Sequence, residues 1–240
     1  MKKEKLVDIQ RLIQSKNPKL LKWLPRFVIN YLRRILHEDE INDFINKHGH
    51  LYDDEFCQAI VNYLKIKIVI NGIENLPKTG PAIVAMNHPL GGMDAVAFVV
   101  GIKEKRNDTR FIVNDLLMNL ENLKNLFVGV NKHGKNAPSV RQQIRNIFDC
   151  REFNRPIVPV FIDGKLTNFF YRLSKFRKFI GIKANIEMMY LADELFKQKN
   201  RTITFTIGKP ILGQEINKEW SDIEASEWFR KHVHQFRQSK

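Results

Sequence analysis

Between the apolar run AIVAM (82–86) and an apolar stretch starting at Ala95 lies Asn87-His88-Pro89-Leu90-Gly91-Gly92-Met93-Asp94. An imidazole with an ordinary pKa of about 6.5 can accept a proton at neutral pH, so His88 is a candidate general base. A carboxylate such as Asp94 can keep one ring nitrogen protonated and leave the other available for proton abstraction. Gly91 and Gly92 let the loop fold tightly enough for the two side chains to meet. Asn87 can fix the loop or turn its amide toward a substrate oxygen. The same residues also describe an ordinary strand-to-helix turn with Asp94 as its cap. Residue types and spacing alone leave both readings open.

Other chemistries lack their residues. Cys57 and Cys150 form no C-x-x-C pair, which excludes a disulfide scaffold or a cysteine zinc site. His48-Gly-His50 and His232-Val-His234 have no acid or cysteine at ligand spacing, so no metal site is expected. Neither Gly-x-Ser-x-Gly nor a phosphate-binding Gly-x4-Gly-Lys-Ser/Thr occurs, which leaves serine hydrolases and P-loop NTPases without their signatures.

The elements that must position the His-Asp stretch are legible from Lys65 onward. Short apolar runs at 66–70, 82–86, 110–114, 126–130, 156–162 and 202–207 read as strands. Helical patterns are predicted at 95–103, 115–124, 140–149, 169–179 and 221–236. Continuous apolar strands separated by helices predict an α/β fold, a mostly parallel mixed sheet with helices on both faces. In such a sheet, ligands bind in loops at the carboxyl ends of strands, which is where His88 falls. Residues 1–64 are expected to form an N-terminal helical segment and 65–240 the α/β domain.

Charge separates the two parts further. The 240 residues carry 40 Lys and Arg against 26 Asp and Glu, a formal +14 that favours an anionic partner. Residues 1–37 alone hold ten bases and two acids, for +8, whereas 38–64 hold seven acids against Lys47. Within 19–37, Leu20, Trp23, Leu24, Phe27, Tyr31 and Ile35 share a helical face, and Pro25 is expected to kink or start the helix. Such a basic, aromatic helix fits either an anionic membrane surface or packing on the main domain. No apolar run approaches the ~20 residues that span a bilayer. A second basic stretch, GKLTNFFYRLSKFRKFIGIK (164–183), has six bases and no acid. It fits an acidic lipid or carrier-protein surface, RNA contact by stacking and charge, or simply a solvated face. Net charge and this interleaving are the only features that favour nucleic acid, and no specific nucleic-acid partner is expected.

The stretch MNHPLGGMDA resembles the first signature of the glycerolipid acyltransferase superfamily, the lysophosphatidic-acid acyltransferase group, whose hallmark is Asn-His, four residues, then Asp. FVGVNK, ending in Asn131-Lys132, is similar to the second block, where a basic residue contacts acceptor phosphate. IVPVFI (157–162) is similar to the fourth block, with Pro159 as its proline. The order and approximate spacing of the blocks fit the superfamily, and Asn-His-Pro-Leu-Gly-Gly followed by a helix looks most like its hemolysin-like, amino-acid-lipid branch.

The resemblance implies transfer of a fatty acyl group from acyl-ACP or acyl-CoA to a hydroxyl of a lyso-lipid acceptor, with no bound cofactor and no metal. His88 and Asp94 would be catalytic. Asn87, Gly91, Gly92, Asn114, Asn131, Lys132 and Pro159 would contact substrate. The implied setting is cytoplasmic, peripheral on the inner face of the membrane, with the acidic acyl carrier protein as a partner that suits a basic enzyme.

Two departures carry consequences. Five residues rather than four separate His88 from Asp94, which the Gly-Gly pair can absorb before the helix begins. The third block is missing, because residues 133–155 read HGKNAPSVRQQIRNIFDCREFNR. A gap is therefore expected between strands 126–130 and 157–162, with the His88–Asp94 pair intact and transfer slower than in a relative carrying the block. A non-catalytic, lipid- or partner-binding relative is the alternative.

Overall fold

A computed structural model describes residues 5, 7–130, 155–183, 185–216 and 219–237. Along the chain come α1 (Ile9–Lys16), α2 (Pro18–Trp23), α3 (Arg26–Ile35), α4 (Glu38–His48) and α5 (Asp53–Tyr63). Then follow β1 (Lys67–Asn71), β2 (Ile83–Met86), α6 (Gly92–Ile102), β3 (Phe111–Asn114) and β4 (Phe127–Val130). After residues 131–154 come β5 (Ile157–Asp163), α7 (Asn168–Phe179), α8 (Leu191–Phe196), β6 (Thr202–Ile207) and α9 (Asp222–Gln235). Two compact units result, Met1–Leu51 with Leu166–Lys199, and Tyr52–Lys165 with Asn200–Lys240.

The second unit carries the sheet, in the order β1-β6-β5-β2. β1 runs parallel to β6 and β2 parallel to β5, while β5 and β6 are antiparallel. β3 and β4 form a separate parallel pair. Three of these four pairings are parallel, so the expected mixed, mostly parallel α/β fold is what the chain adopts. β5 lies between two neighbours, and all its residues except Asp163 are buried, as an inner strand requires. In β6 the threonines alternate with buried Ile203, Phe205 and Ile207, so one face is apolar.

α6 covers that face. It is apolar nearly all round, with Met93, Val96, Ala97, Phe98, Val99 and Ile102 buried. Gly101 lets it lie close, since a Cβ there would come within 2.7 Å of Ile70 Cδ1. On the opposite face, Trp228 and Phe229 of α9 pack on Ile157, Ile211 and Ile216. A capping box between Ser221 and Glu224 starts α9.

Differences from the predicted elements have local causes. The helix expected at 115–124 is two short 3-10 helices, Asp115–Asn119 and Glu121–Leu126. Asn119, Asn122 and Asn125 punctuate this stretch, and asparagine competes for the hydrogen bonds that a continuous helix needs. The helix expected at 140–149 lies outside the described residues. β4 and β5 share no ladder among the described residues, and the gap expected between them falls on residues 131–154, outside the described residues.

In the first unit, Pro25 separates α2 from α3 as its N-cap residue, and Ile29 and Ile35 turn inward. Trp23 (86% exposed) and Phe27 (74%) project outward, so the single apolar face read from the sequence is split. The unit is held by Glu38, which is buried. It accepts from Lys5 Nζ at 2.7 Å, Arg33 Nε at 3.0 Å and the Ile9 N–H at 3.1 Å. Burial alone would push its carboxyl up, but these donors outweigh burial and hold it below the usual range. The stability Glu38 contributes is therefore present above its unfolded pKa and lost as pH falls through the lower folded value. Glu38→Gln is expected to cost about 1–3 kcal/mol at neutral pH, as charge-assisted hydrogen bonds do. In thermal melts, the gap between wild type and variant should close on acidification.

Candidate active site

β2 leaves the sheet at Met86, in register with Val160 of β5. Asn87 extends that pairing with its side chain. Its Nδ2 donates to the Ile162 carbonyl at 2.9 Å, and its Oδ1 accepts from the Ile162 N–H at 2.7 Å. This two-bond clamp fixes the residue before His88 on the carboxyl end of β5. Leu90 is buried against Gly164, where an added Cβ would stand 2.8 Å from Leu90 Cδ1. Gly91, the N-cap residue of α6, has φ 65° and ψ −142°, a conformation open essentially to glycine. Its carbonyl accepts from the Asp94 N–H at 3.0 Å, which places Asp94 in the first helical turn. A carboxylate is favoured there by the helix dipole.

His88 and Asp94 meet as expected. His88 Nδ1 lies 2.9 Å from Asp94 Oδ2, and the same oxygen accepts from the Leu90 N–H at 3.0 Å. A carboxylate only accepts, so Nδ1 carries the proton and Nε2 keeps its lone pair. The Asp94 side chain is 1% exposed and that of His88 71%, so the carboxylate is hidden while the ring faces solvent. The bond to Asp94 raises the His88 pKa above the ordinary imidazole value, with burial opposing it. Burial pushes the Asp94 carboxyl up, and the bonds from His88 and Leu90 restrain it. The five-residue spacing is absorbed by the loop. His88 lies before the helix, and Gly91 makes the turn that brings the chain back.

The other expected contacts are distributed differently. Gly92 borders open space, with no atom within 4 Å of an added Cβ. Of the two readings of Asn87, the structure shows the loop-fixing one, with its amide committed to Ile162. Pro159 pairs with Ala85 within buried β5, and its carbonyl accepts from the Gly208 N–H at 2.8 Å. Its donor-lacking side thus faces residue 208, just past the end of β6, where no ladder bond is lost. Its ring packs by Gly208, where an added Cβ would stand 2.9 Å from Pro159 Cγ. What Pro159 touches is core rather than an open site. Asn114 ends β3, paired with Val130. Asn131 and Lys132 lie outside the described residues. Among the described residues, no three His, Cys, Asp or Glu side chains group as a metal would require.

Sequence reasoning missed Leu90, whose amide shares Asp94 Oδ2 with His88, and Gly164, which makes room for Leu90. The Asp163-Gly164 turn dipeptide after the apolar run was the available signal for Gly164. The two loop glycines should respond differently to substitution. Gly91→Ala is expected to cost about 1–3 kcal/mol through backbone strain, whereas Gly92→Ala meets neither strain nor a clash. Paired thermal melts check this, and equal losses would contradict the geometry.

The acyltransferase family model matches residues 11–154 and 144–240. A lyso-glycine lipid O-acyltransferase of Bacteroides thetaiotaomicron is 37% identical over 264 aligned positions, covering 95% of this chain and 97% of that protein. Another, from Phocaeicola vulgatus, is 35% identical and covers 95% and 94%. The solved 1-acyl-sn-glycerophosphate (LPA) acyltransferase PlsC of Thermotoga maritima aligns over 95% of this chain and 93% of its own, at 17% identity and a TM-score of 0.41. Since 264 aligned positions exceed this chain's 240 residues, at least 24 (264 less 240) have no counterpart here. The two family matches overlap at 144–154. Matched along nearly its whole length, the chain belongs to the acyltransferase family, within the glycerolipid acyltransferase superfamily.

Proposed function

We propose that the protein moves a fatty acyl group from an acyl thioester to the hydroxyl of a lyso-amino-acid lipid, with lyso-glycine lipid as the first candidate. The observation that carries this reading is the His88–Asp94 pair, a solvent-facing base on a buried carboxylate, in a chain whose two curated relatives bear that acceptor's name. Nε2 of His88 takes the acceptor's hydroxyl proton as its oxygen attacks the thioester carbonyl. The C–O bond forms and the C–S bond breaks. The departing thiolate recovers a proton from the imidazolium, which Asp94 stabilises throughout. The thioester is already activated, so the mechanism needs no acyl-enzyme and no metal. Both relatives are named as acyltransferases, which lends nothing to the non-catalytic alternative.

The donor is acyl-ACP or acyl-CoA, and an acidic carrier protein suits a chain of net charge +14. Asn131 and Lys132 are proposed to hold the acceptor's carboxylate or phosphate. Among the described residues, no helix is long and apolar enough to cross a membrane. Attachment is proposed through residues 1–37, where Trp23 and Phe27 project beside Lys22 and Arg26, on the cytoplasmic face.

Incubation with acyl thioester and a panel of lyso-lipids, followed by mass spectrometry, tests the acceptor. Acylated glycine lipid is the expected main product. Preferential acylation of lysophosphatidic acid would overturn the acceptor assignment.

A further inference from the structure

The second basic stretch ends in a built apolar tip within the first unit. Thr167 caps α7 by accepting from the Phe170 N–H. At the far end, Gly181 adopts φ 75° and its N–H donates to the Lys178 carbonyl at 3.2 Å. The Ile182 N–H closes the turn onto the Arg177 carbonyl at 3.1 Å. Arg177 is buried beneath it. Its Nη1 donates to the Ile182 carbonyl at 3.0 Å, and its Nε lies 2.8 Å from Glu187 Oε2. Glu187 accepts in turn from Ser174 Oγ at 3.2 Å.

Out of this closed turn project Phe176, Phe179, Ile180 and Ile182, all exposed, with Phe179 at 88%. Exposed Lys175, Lys178 and Lys183 surround them, and no acid occurs between 164 and 183. Buried Arg177 is matched by Glu187, so the exposed charge between 175 and 183 is carried by lysine alone. A clamped turn that holds large apolar side chains in water is a surface made for a partner.

We propose that this tip, residues 176–182, inserts into the surface of an anionic lipid bilayer as a second anchor in addition to Trp23 and Phe27, which belong to the same unit. Phenylalanine and isoleucine side chains fit the boundary between headgroups and acyl chains, and surrounding lysines reach anionic headgroups. An acidic carrier protein would engage the lysines but leaves Phe179 unexplained. A single weak anchor holds a protein only marginally, and two on one unit reinforce each other. The inference rests on the reading that the enzyme works at a lipid surface, but it concerns attachment rather than chemistry.

The test uses the full chain and vesicles of phosphatidylcholine with and without phosphatidylglycerol. Phe179→Ala is expected to weaken binding to the anionic vesicles about tenfold, the scale of one apolar side chain's transfer, with an unchanged thermal melt. Phe179→Trp should gain a blue-shifted emission component on those vesicles, relative to the parent protein. Unchanged affinity together with no spectral shift would overturn the proposal. So would an effect of Phe179→Ala on acyl carrier protein binding alone. His88→Ala should bind vesicles like wild type. Failed acyl transfer with the Phe179 effects intact therefore sinks the proposed chemistry and leaves the anchor, and the converse sinks only the anchor.

Discussion

His88→Ala is expected to slow acyl transfer by about 10²–10⁴-fold, the range that a positioned general base supplies. Loop integrity should survive the change. The imidazole is 71% exposed, and the loop is held by Asn87 on Ile162, Leu90 on Gly164 and the turn at Gly91, none of which involves the ring. A melting temperature near that of wild type together with the large rate loss is therefore the expected pair of results. Equal losses in rate and in folding would instead point to a structural histidine.

Asp94→Asn should have an effect of similar order by a different route. An asparagine carbonyl can still accept from His88 Nδ1 and from the Leu90 N–H, so the loop geometry can persist. What disappears is the negative charge that stabilises the imidazolium formed when the acceptor loses its proton. A loss of about 10²-fold or more in rate is expected, with little change in acceptor KM, because the group touches no substrate. Steady-state kinetics over a range of acceptor concentrations would check this. A change confined to KM would place Asp94 in acceptor binding instead.

The parts of this site legible in the sequence were those carried by residue type at short range. Asn87-His88 and Asp94 flank a glycine pair, and the short apolar run AIVAM before them reads as a strand, which the structure shows as half-buried β2. Strand positions were legible for the same reason, since β5 and β6 announce themselves by unbroken or alternating apolar residues. What stayed hidden depends on partners remote in sequence. Asn87 read either as fixing the loop or as a substrate contact, because nothing local shows that its amide meets Ile162, 75 residues away. Pro159 read as part of the site, but β6 ends opposite it and Gly208 receives its ring. The stripe from Leu20 to Ile35 read as one face because periodicity records spacing and not which side of the helix meets a neighbour. In α3, Ile29 and Ile35 are buried and Phe27 is not. The joining of 166–199 to the N-terminal helices likewise rests on distant contacts, such as the His37 ring stacked on Phe196 at 4.0 Å.

The measurement that bears most directly on the central claim is acceptor-dependent release of thiol from an acyl thioester, followed across pH for wild type and Asp94→Asn. Neutral His88 is the active form, and its bond to Asp94 raises its pKa. The wild-type rate should therefore fall on acidification with a midpoint above the ordinary imidazole value of about 6.5. In Asp94→Asn the charge that raises it is gone, so the midpoint should move to lower pH while the plateau drops. No acceptor-dependent release by wild type, or the same midpoint in both proteins, would contradict the account.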